Sequence, residues 1–549
     1  MGTLRSIAAG ARQSLADAAF EVKVLHEAGI LGLHRPDKSA KVVSAFLRWG
    51  ASPALGITTA AIHYPHETAL IDERGSLTFE QLHRRSNALA HAFERMGIGD
   101  GDGVGIMCRN HRGFIEATLA TAKLGASALY LNTMFAAPQL AEVMSREGPK
   151  ALVYDEEFAG LLEGVDGGVE RIVAWHDGEV EGPTLDSLIA SAKDSDLKPP
   201  PDKPRFVILT SGTTGTPKGA QRSSPDGLFA MAALIDRIPF RSRETMMIAA
   251  PLFHSWGFFH FVMSLPTAST IVLRRRFDPE ETLRAVQEHR AQVLAVVPVM
   301  IQRMMQLPEE TLTSYDLSSL RITSLSGSAL PGELAIAWMD RFGDSIYNLY
   351  GSTEVAYATV ATPQDLRAAP GTAGLPPRGT VVRLYDEEGR EVPRGEVGRI
   401  FVGNEMSFEG YTGGGGKETI DGLLSSGDVG HLDAGGRLFI DGRDDEMIVS
   451  GGENVFPREV EDLLADHGAV AEVAVIGVED DEYGQRLKAF VVLAGEAEAS
   501  EDELKAHVKA NLAAYKAPRE IEFIAELPRN ASGKILKREL HARETQKSV

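Results

Sequence analysis

The sequence predicts an α/β protein: a large N-terminal domain of parallel α/β layers with a small antiparallel patch, then a small α+β C-terminal domain. Three observations predict it. From about Leu77 to Trp175, helical periodicity alternates with short apolar runs, the pattern of a parallel sheet covered by helices. Around residues 380–402 the runs shorten and are separated by turn residues, which suggests antiparallel pairing. Beyond Asp445 the composition shifts to a unit of about 100 residues, enough to fold on a small core.

The elements follow in chain order. Residues 1–55 precede the alternation and form an N-terminal extension, expected to be helical. Leu4, Ile7, Ala8, Ala11 and Leu15 fall near one helical face. That pattern reads as a helix docked on the main body, with a foot on a lipid surface as the alternative. Arg5 and Arg12 interrupt any continuous apolar core, so the segment is a poor signal peptide. In the main unit, 56–444, helices are expected at 81–98, 111–126, 137–148, 279–290 and 332–342. Strands are expected at 103–108, 127–132, 150–155, 206–209, 245–251 and 292–299. The proline-rich stretch 199–204 breaks the alternation, and the Gly-rich run 413–416 marks an exposed loop. In the last unit, 445–549, helices are expected at 459–467 and 501–516 and strands at 470–478, 486–494 and 520–526.

Composition narrows the function classes. The 549 residues carry 56 basic and 77 acidic side chains, a net charge of −21. Non-specific nucleic-acid binding rests on neutralising phosphates with Lys and Arg, so nucleic acid is excluded as the main partner. The single cysteine, Cys108, cannot form an internal disulfide, which fits a reducing cytoplasm. No stretch approaches the roughly 18 apolar residues of a membrane span, leaving peripheral membrane contact as the only lipid association to consider. The oligomeric state is left open.

The most informative segment follows the apolar run 206–209. Residues 210–219 hold three Gly, four Thr, one Ser and one Lys. Glycines admit backbone N–H groups close to a phosphate, hydroxyls donate further hydrogen bonds, and Lys218 adds charge. The spacing does not match a Walker loop. Thr210, Ser211, Gly212, Thr213, Thr214, Gly215 and Lys218 match the signature loop of the adenylate-forming (AMP-binding) superfamily. On these residues the chain resembles that superfamily, in its acyl-CoA synthetase branch, from about Leu77 to Leu540. The resemblance implies the adenylate-forming enzyme fold.

Further motifs occur in the order that resemblance implies. His254 would stand near the carboxylate and α-phosphate, and Trp256 would line the acyl pocket. Gly327, Ser328 and Ala329 would pass along the adenine. Asn348 would pair with its amino group and Tyr350 would pack on its ring. Gly351 and Ser352 complete that nucleotide loop, in which Thr353 would contact phosphate and Glu354 would hold Mg²⁺. Asp428 would take the ribose hydroxyls with Arg443 beside it; a carboxylate accepting two vicinal hydroxyls is physically apt. Asp445 matches the pivot between the domains. Gly451, Gly452 and Glu453 match the loop that lines a CoA tunnel, and Lys534 matches the catalytic lysine. One departure is Ser426, where the family usually has Thr.

The resemblance implies an ATP-dependent acid–thiol ligase using ATP, Mg²⁺ and CoA. Between Ala249 and Val262 there is no Asp or Glu to pair with a substrate amine, whereas Trp256, Phe258, Phe259 and Phe261 are present. A buried ammonium without a counter-ion is costly, so an apolar acid is expected. A medium- or long-chain fatty acid is the first expectation, ahead of aromatic acids and sterol side chains. Loading of a carrier-protein thiol is the alternative to CoA.

Overall fold

The computed structural model describes residues 16–32, 36–50, 52–201, 205–210, 218–222, 227–406, 408–411, 416–446, 448–450, 453–480, 484–495, 497–512, 516–530 and 533–547. It holds two large α/β sheets and a small antiparallel sheet, followed by a separate α+β unit, the layout expected from the sequence. The positions 4, 7, 8, 11 and 15, the phosphate-loop residues 211–217, Gly451 and Gly452 lie outside the described residues. So do Gly413 to Gly415 of the glycine run.

In the first sheet the strands Gly103–Met107, Ser127–Tyr130, Ala151–Asp155, Glu170–Trp175 and Phe206–Thr210 run parallel. Lys218–Arg222 then returns antiparallel to Phe206–Thr210, with Thr210 opposite Lys218. The second sheet sets Thr245–Ile248, Thr270–Leu273, Val293–Val296, Ile322–Leu325 and Ile346–Tyr350 parallel to one another, with Thr68–Asp72 added at Thr270–Leu273. Their near-continuous burial is what a parallel sheet covered on both faces requires. Helices are entered by local side-chain chemistry. Thr78 and Gln81 form a capping box at Phe79–Arg95, and the Asp278 side chain caps Pro279–Glu288.

The antiparallel patch is present. Val381–Tyr385 pairs with Gly398–Gly403, which pairs with Leu423–Leu432, and that strand pairs with Leu438–Arg443. The last unit builds a sheet around the long hairpin Val470–Asp480 and Gly484–Leu493, with Glu520–Phe523 parallel to its second strand. Pro457–Ala465 and Glu501–Asn511 contribute buried side chains to that core.

Several boundaries differ from the expectations. The apolar run 292–299 is a strand only over Val293–Val296; Pro298, with its fixed φ and no N–H, opens the helix Pro298–Met305. The expected helix 111–126 is Arg112–Lys123, because Gly125 takes φ +72° and turns the chain. The aromatic run after His254 forms the buried helix Ser255–Ser264, whose apolar side chains carry no clean period to read.

The N-terminal segment is helical at 16–27, Pro36–Trp49 and Pro53–His63. It docks on the body: Asp17 pairs with Arg378 at 3.0 Å, and Arg378 also lies over the Phe20 ring. Among the described residues, no helix is long and apolar enough to cross a membrane.

Candidate active site at the carboxyl ends of the second sheet

Ligands of open parallel sheets bind beyond the carboxyl ends of the strands. Here four adjacent parallel strands release their loops into one cavity of about 1570 Å³. Thr245–Ile248 leads to His254 and Trp256, Val293–Val296 leads to Val297 and Val299, Ile322–Leu325 leads to Gly327, Ser328 and Ala329, and Ile346–Tyr350 leads to Gly351, Ser352, Thr353 and Glu354; all of these line the cavity. Asn348 and Tyr350 lie two residues apart on one strand, so their side chains share a face, and both line it as well.

The antiparallel patch supplies the opposite wall. Asp428 faces Arg443 across the strand pair, with the guanidinium 3.4 Å from the carboxylate. The Tyr350 hydroxyl donates to the other Asp428 oxygen at 2.6 Å, tying the two sheets together. Burial pushes the Asp428 carboxyl above the usual carboxylate range, although Arg443, Tyr350, Lys534 and Lys417 all favour its charged form. The same burial, with Asp428 beside it, pushes the Tyr350 phenol well up. Gly427 takes φ +82°, and a Cβ there would stand 3.3 Å from Lys417 Nζ and 3.5 Å from the Arg443 guanidinium. The turn thus leaves both cations room beside Asp428.

The loop after Tyr350 is locked internally. Ser352 Oγ accepts from the backbone N–H groups of Glu354 and Val355 at 3.2 Å and donates to the Glu354 carboxylate at 2.9 Å. Gly351 has no room for a side chain, since a Cβ would lie 2.2 Å from the Ala356 carbonyl oxygen. Ala356 itself stands at φ +60°, a strained conformation of a kind that concentrates at functional loops.

His254 through Nε2 and Asn348 through Oδ1, which both line the cavity, each hold a buried polar atom with no hydrogen-bond partner among the described residues. Leaving such an atom unmet costs about 1–3 kcal/mol. Burial pulls the His254 imidazole down to about 4, so it is neutral near pH 7. Trp256 is held by its indole N–H, which donates to the Val296 carbonyl at 3.0 Å, and it stacks on Phe259.

Lys534 enters this cavity from the small unit, beside Arg529 and Lys537. A Cβ on Gly533 would stand 2.4 Å from Val299 Cγ1, so the small unit is seated closely on the loop after Val293–Val296. Gln302 donates to the Ala471 carbonyl at 2.9 Å across the same contact.

The structure therefore brings together His254, Trp256, Gly327, Ser328, Ala329, Asn348, Tyr350, Gly351, Ser352, Thr353, Glu354, Asp428, Arg443 and Lys534. Thr210 and Lys218 stand at the strand ends that bracket the phosphate loop. Asp445 lies in the short helical turn Asp444–Glu446, and Glu453 opens the strand Glu453–Val455. Sequence reasoning missed Lys417. The only trace of it in the sequence was a lone lysine directly after the glycine run. It also missed the N-terminal residues that line the far end of the cavity. A second cluster, Cys108, His111 and Asp155, is closed on itself: the imidazole spans Asp155 at 2.7 Å and the Gly113 N–H at 3.0 Å.

The profile of the AMP-binding enzyme family matches residues 57–412, and that of the AMP-binding enzyme C-terminal domain matches 459–534. This chain belongs to the AMP-binding enzyme family. Among its relatives, fatty acid–[acyl-carrier-protein] ligase ScoC of Streptomyces coeruleorubidus is 33% identical over 505 residues, covering 89% of this chain and 96% of that protein. Feruloyl-CoA synthase of an Amycolatopsis species is 34% identical, covering 87% of this chain and 96% of its own length. Among solved structures, the anthranilate CoA ligase AuaEII in complex with anthranoyl-AMP superposes with a TM-score of 0.81 at 26% identity, covering 90% of this chain and 97% of that one. The named acids of these relatives are chemically diverse, so family membership does not fix the acid.

Proposed function

We propose that this protein activates a hydrophobic carboxylic acid with ATP and transfers the acyl group to CoA, and that the acid is a medium- or long-chain fatty acid. The observation that carries the reading is the composition of this cavity. It holds unmet buried polar atoms on His254 and Asn348, the Asp428–Tyr350–Arg443 cluster, and Lys534 delivered by the small unit. Relatives named as acid–CoA ligases support the same chemistry.

Each residue then has a task. Asn348 Oδ1 accepts from the adenine amino group, and Tyr350 packs on the ring while orienting Asp428. Asp428 accepts from the ribose hydroxyls beside Arg443. Glu354 offers a carboxylate next to where the phosphates would lie, which fits a hard divalent cation; Mg²⁺ held there would neutralise phosphate charge. The segment 211–217, with Lys218, would cradle the β- and γ-phosphates. Neutral His254 donates from Nε2 to the substrate carboxylate without presenting a fixed charge to the apolar pocket.

The acid's carboxylate oxygen attacks the α-phosphorus, the bond to the β-phosphate oxygen breaks, and pyrophosphate leaves. Lys534 stabilises the charge that develops and holds the two reactants in line. The CoA thiolate next attacks the acyl carbon, and AMP departs with the electron pair of the broken C–O bond. Rotation of the small unit about Asp445 withdraws Lys534 and brings Gly451, Gly452 and Glu453 to the site, so one cavity serves both steps. The similarity to ScoC favours a second reading, in which the acceptor is a carrier-protein thiol.

Incubating the protein with ATP, Mg²⁺ and a panel of fatty and aromatic acids, with and without CoA, tests the reading. Acyl-CoA that disappears in Lys534→Ala is expected. Adenylate that persists with CoA present selects the carrier-protein reading, and turnover of aromatic acids alone overturns the fatty-acid assignment.

A further inference from the structure

We propose that two N-terminal helices, Pro36–Trp49, which precedes the region matched by the family profile, and Pro53–His63, which spans its start, complete the acyl channel of this enzyme and set the length of tail it prefers. The inference rests on the hydrophobic-acid reading above and deepens it.

The catalytic cavity does not end at Trp256. It continues without a break to the helices Pro53–His63 and Pro36–Trp49. On the first, Ser52, Leu55, Gly56, Thr59, Ala60 and His63 line it. Those positions recur every three or four residues, so one complete face of the helix borders the cavity from end to end. Eleven residues give a wall of about 16 Å at 1.5 Å per residue. A methylene chain in extended form advances about 1.25 Å per carbon from standard C–C dimensions, so that wall accommodates about a dozen carbons. Gly56 seats the helix against the catalytic core, since a Cβ there would lie 2.6 Å from Leu265 Cβ at the end of the helix that begins after His254.

The second helix borders the far end. Ala45 and Trp49 are buried against the body, at 4% and 8% exposure. Lys38 Nζ donates to the His63 carbonyl at 2.7 Å, and Arg48 donates to the Leu197 carbonyl at 2.7 Å, so both ends of the helix are pinned. A different face carries Val43, Phe46 and Leu47, which are 60%, 51% and 79% exposed and line the same cavity. A pinned helix with a second apolar face, open to solvent but continuous with an active site, is suited to cover the distal carbons of the bound substrate tail. The occupant assigned to this face is therefore the acyl tail itself, from about the twelfth carbon onward.

Leu47→Asp and Phe46→Asp alter exposed positions, and Thr59→Trp narrows the channel at a half-buried one. For each variant, pyrophosphate release is measured with six-, eight-, twelve- and sixteen-carbon acids, and cis-parinaric acid binding is measured without ATP. In Thr59→Trp, kcat/KM for the sixteen-carbon acid is expected to fall at least thirtyfold, with the six-carbon acid within threefold. The two Asp variants are expected to lose about tenfold on the longest acid alone. An unchanged chain-length profile in all three variants overturns the inference, as does an equal loss for short and long acids in variants whose thermal melting is unaltered. Wild-type protein that turns over no fatty acid overturns the proposed substrate instead. In that event parinaric acid binding decides separately: binding that is lost in Thr59→Trp supports the channel, and no binding to wild type refutes it.

Discussion

Gly533→Ala separates the two half-reactions. Gly533 stands at φ +80° directly before Lys534, and a Cβ would lie 2.4 Å from Val299 Cγ1, whereas ordinary contact begins at 3.4 Å. About 1 Å of displacement is therefore demanded where the small unit meets the large domain. Two costs arise. Left-handed strain of about 1–2 kcal/mol belongs to the turn itself and is present wherever the small unit sits. Overlap with Val299, about 1–3 kcal/mol, exists only while Lys534 is in the cavity. The second cost alone opposes adenylation, and 2 kcal/mol corresponds to about thirtyfold in rate. The assay compares pyrophosphate release from ATP and acid with conversion of preformed acyl-adenylate and CoA to thioester. The first is expected to fall about thirtyfold and the second to stay within about threefold. Val299→Ala removes the obstructing methyls and is expected to restore most of the loss in the double variant, measured against Val299→Ala alone. An equal fall in both half-reactions, or no recovery in the double variant, would refute the reasoning.

Three further outcomes are expected. Asp428→Asn keeps the shape but removes the charge beside Arg443, Lys417 and Lys534. KM for ATP should rise about 10–100-fold, read from initial rates of pyrophosphate release, because a hydrogen bond to a charged acceptor is worth about 1.5–3 kcal/mol. Burial lowers both His254 and His260 to about 4 from the ordinary 6.5. The unfolded chain therefore binds their protons more readily, so their contribution is complete above pH 6.5 and is lost as pH falls towards 4, by about 3 kcal/mol for each group. Urea denaturation between pH 7 and 4 should show His260→Leu with a shallower loss than wild type; parallel curves would count against the assignment. Arg85→Met strips the partner from Glu116, which is 1% exposed. Equilibrium unfolding should register a loss of about 3–5 kcal/mol, with Glu116→Gln restoring part of it in the double variant.

Much of the fold was legible because parallel sheets bury both faces. Residues 151–154 and Val293–Val296 read as unbroken apolar runs between amphipathic helices. Where apolar side chains surround an element, periodicity vanishes, and the helix Ser255–Ser264 was readable only as an aromatic run beside a histidine. Motif residues such as Asn348, Tyr350 and Asp428 were named through the family resemblance, which short local motifs carry.

The sequence by itself determined the α/β class and the family resemblance, and through that resemblance it named many of the residues that meet in the cavity. It could do so because strand burial, turn chemistry and phosphate-loop composition are encoded within a few neighbouring residues. Tertiary structure alone decided the rest. The 2.6 Å bond from Tyr350 to Asp428 joins residues 78 positions apart, and Lys417 stands beside Gly427 and Asp428 only because the turn places it there. The approach of Gly533 to Val299 joins two separate cores. The N-terminal helices border the cavity with Gly56 seated against Leu265, more than two hundred residues away. Contacts of that range depend on how whole elements pack, which short-range pattern does not record.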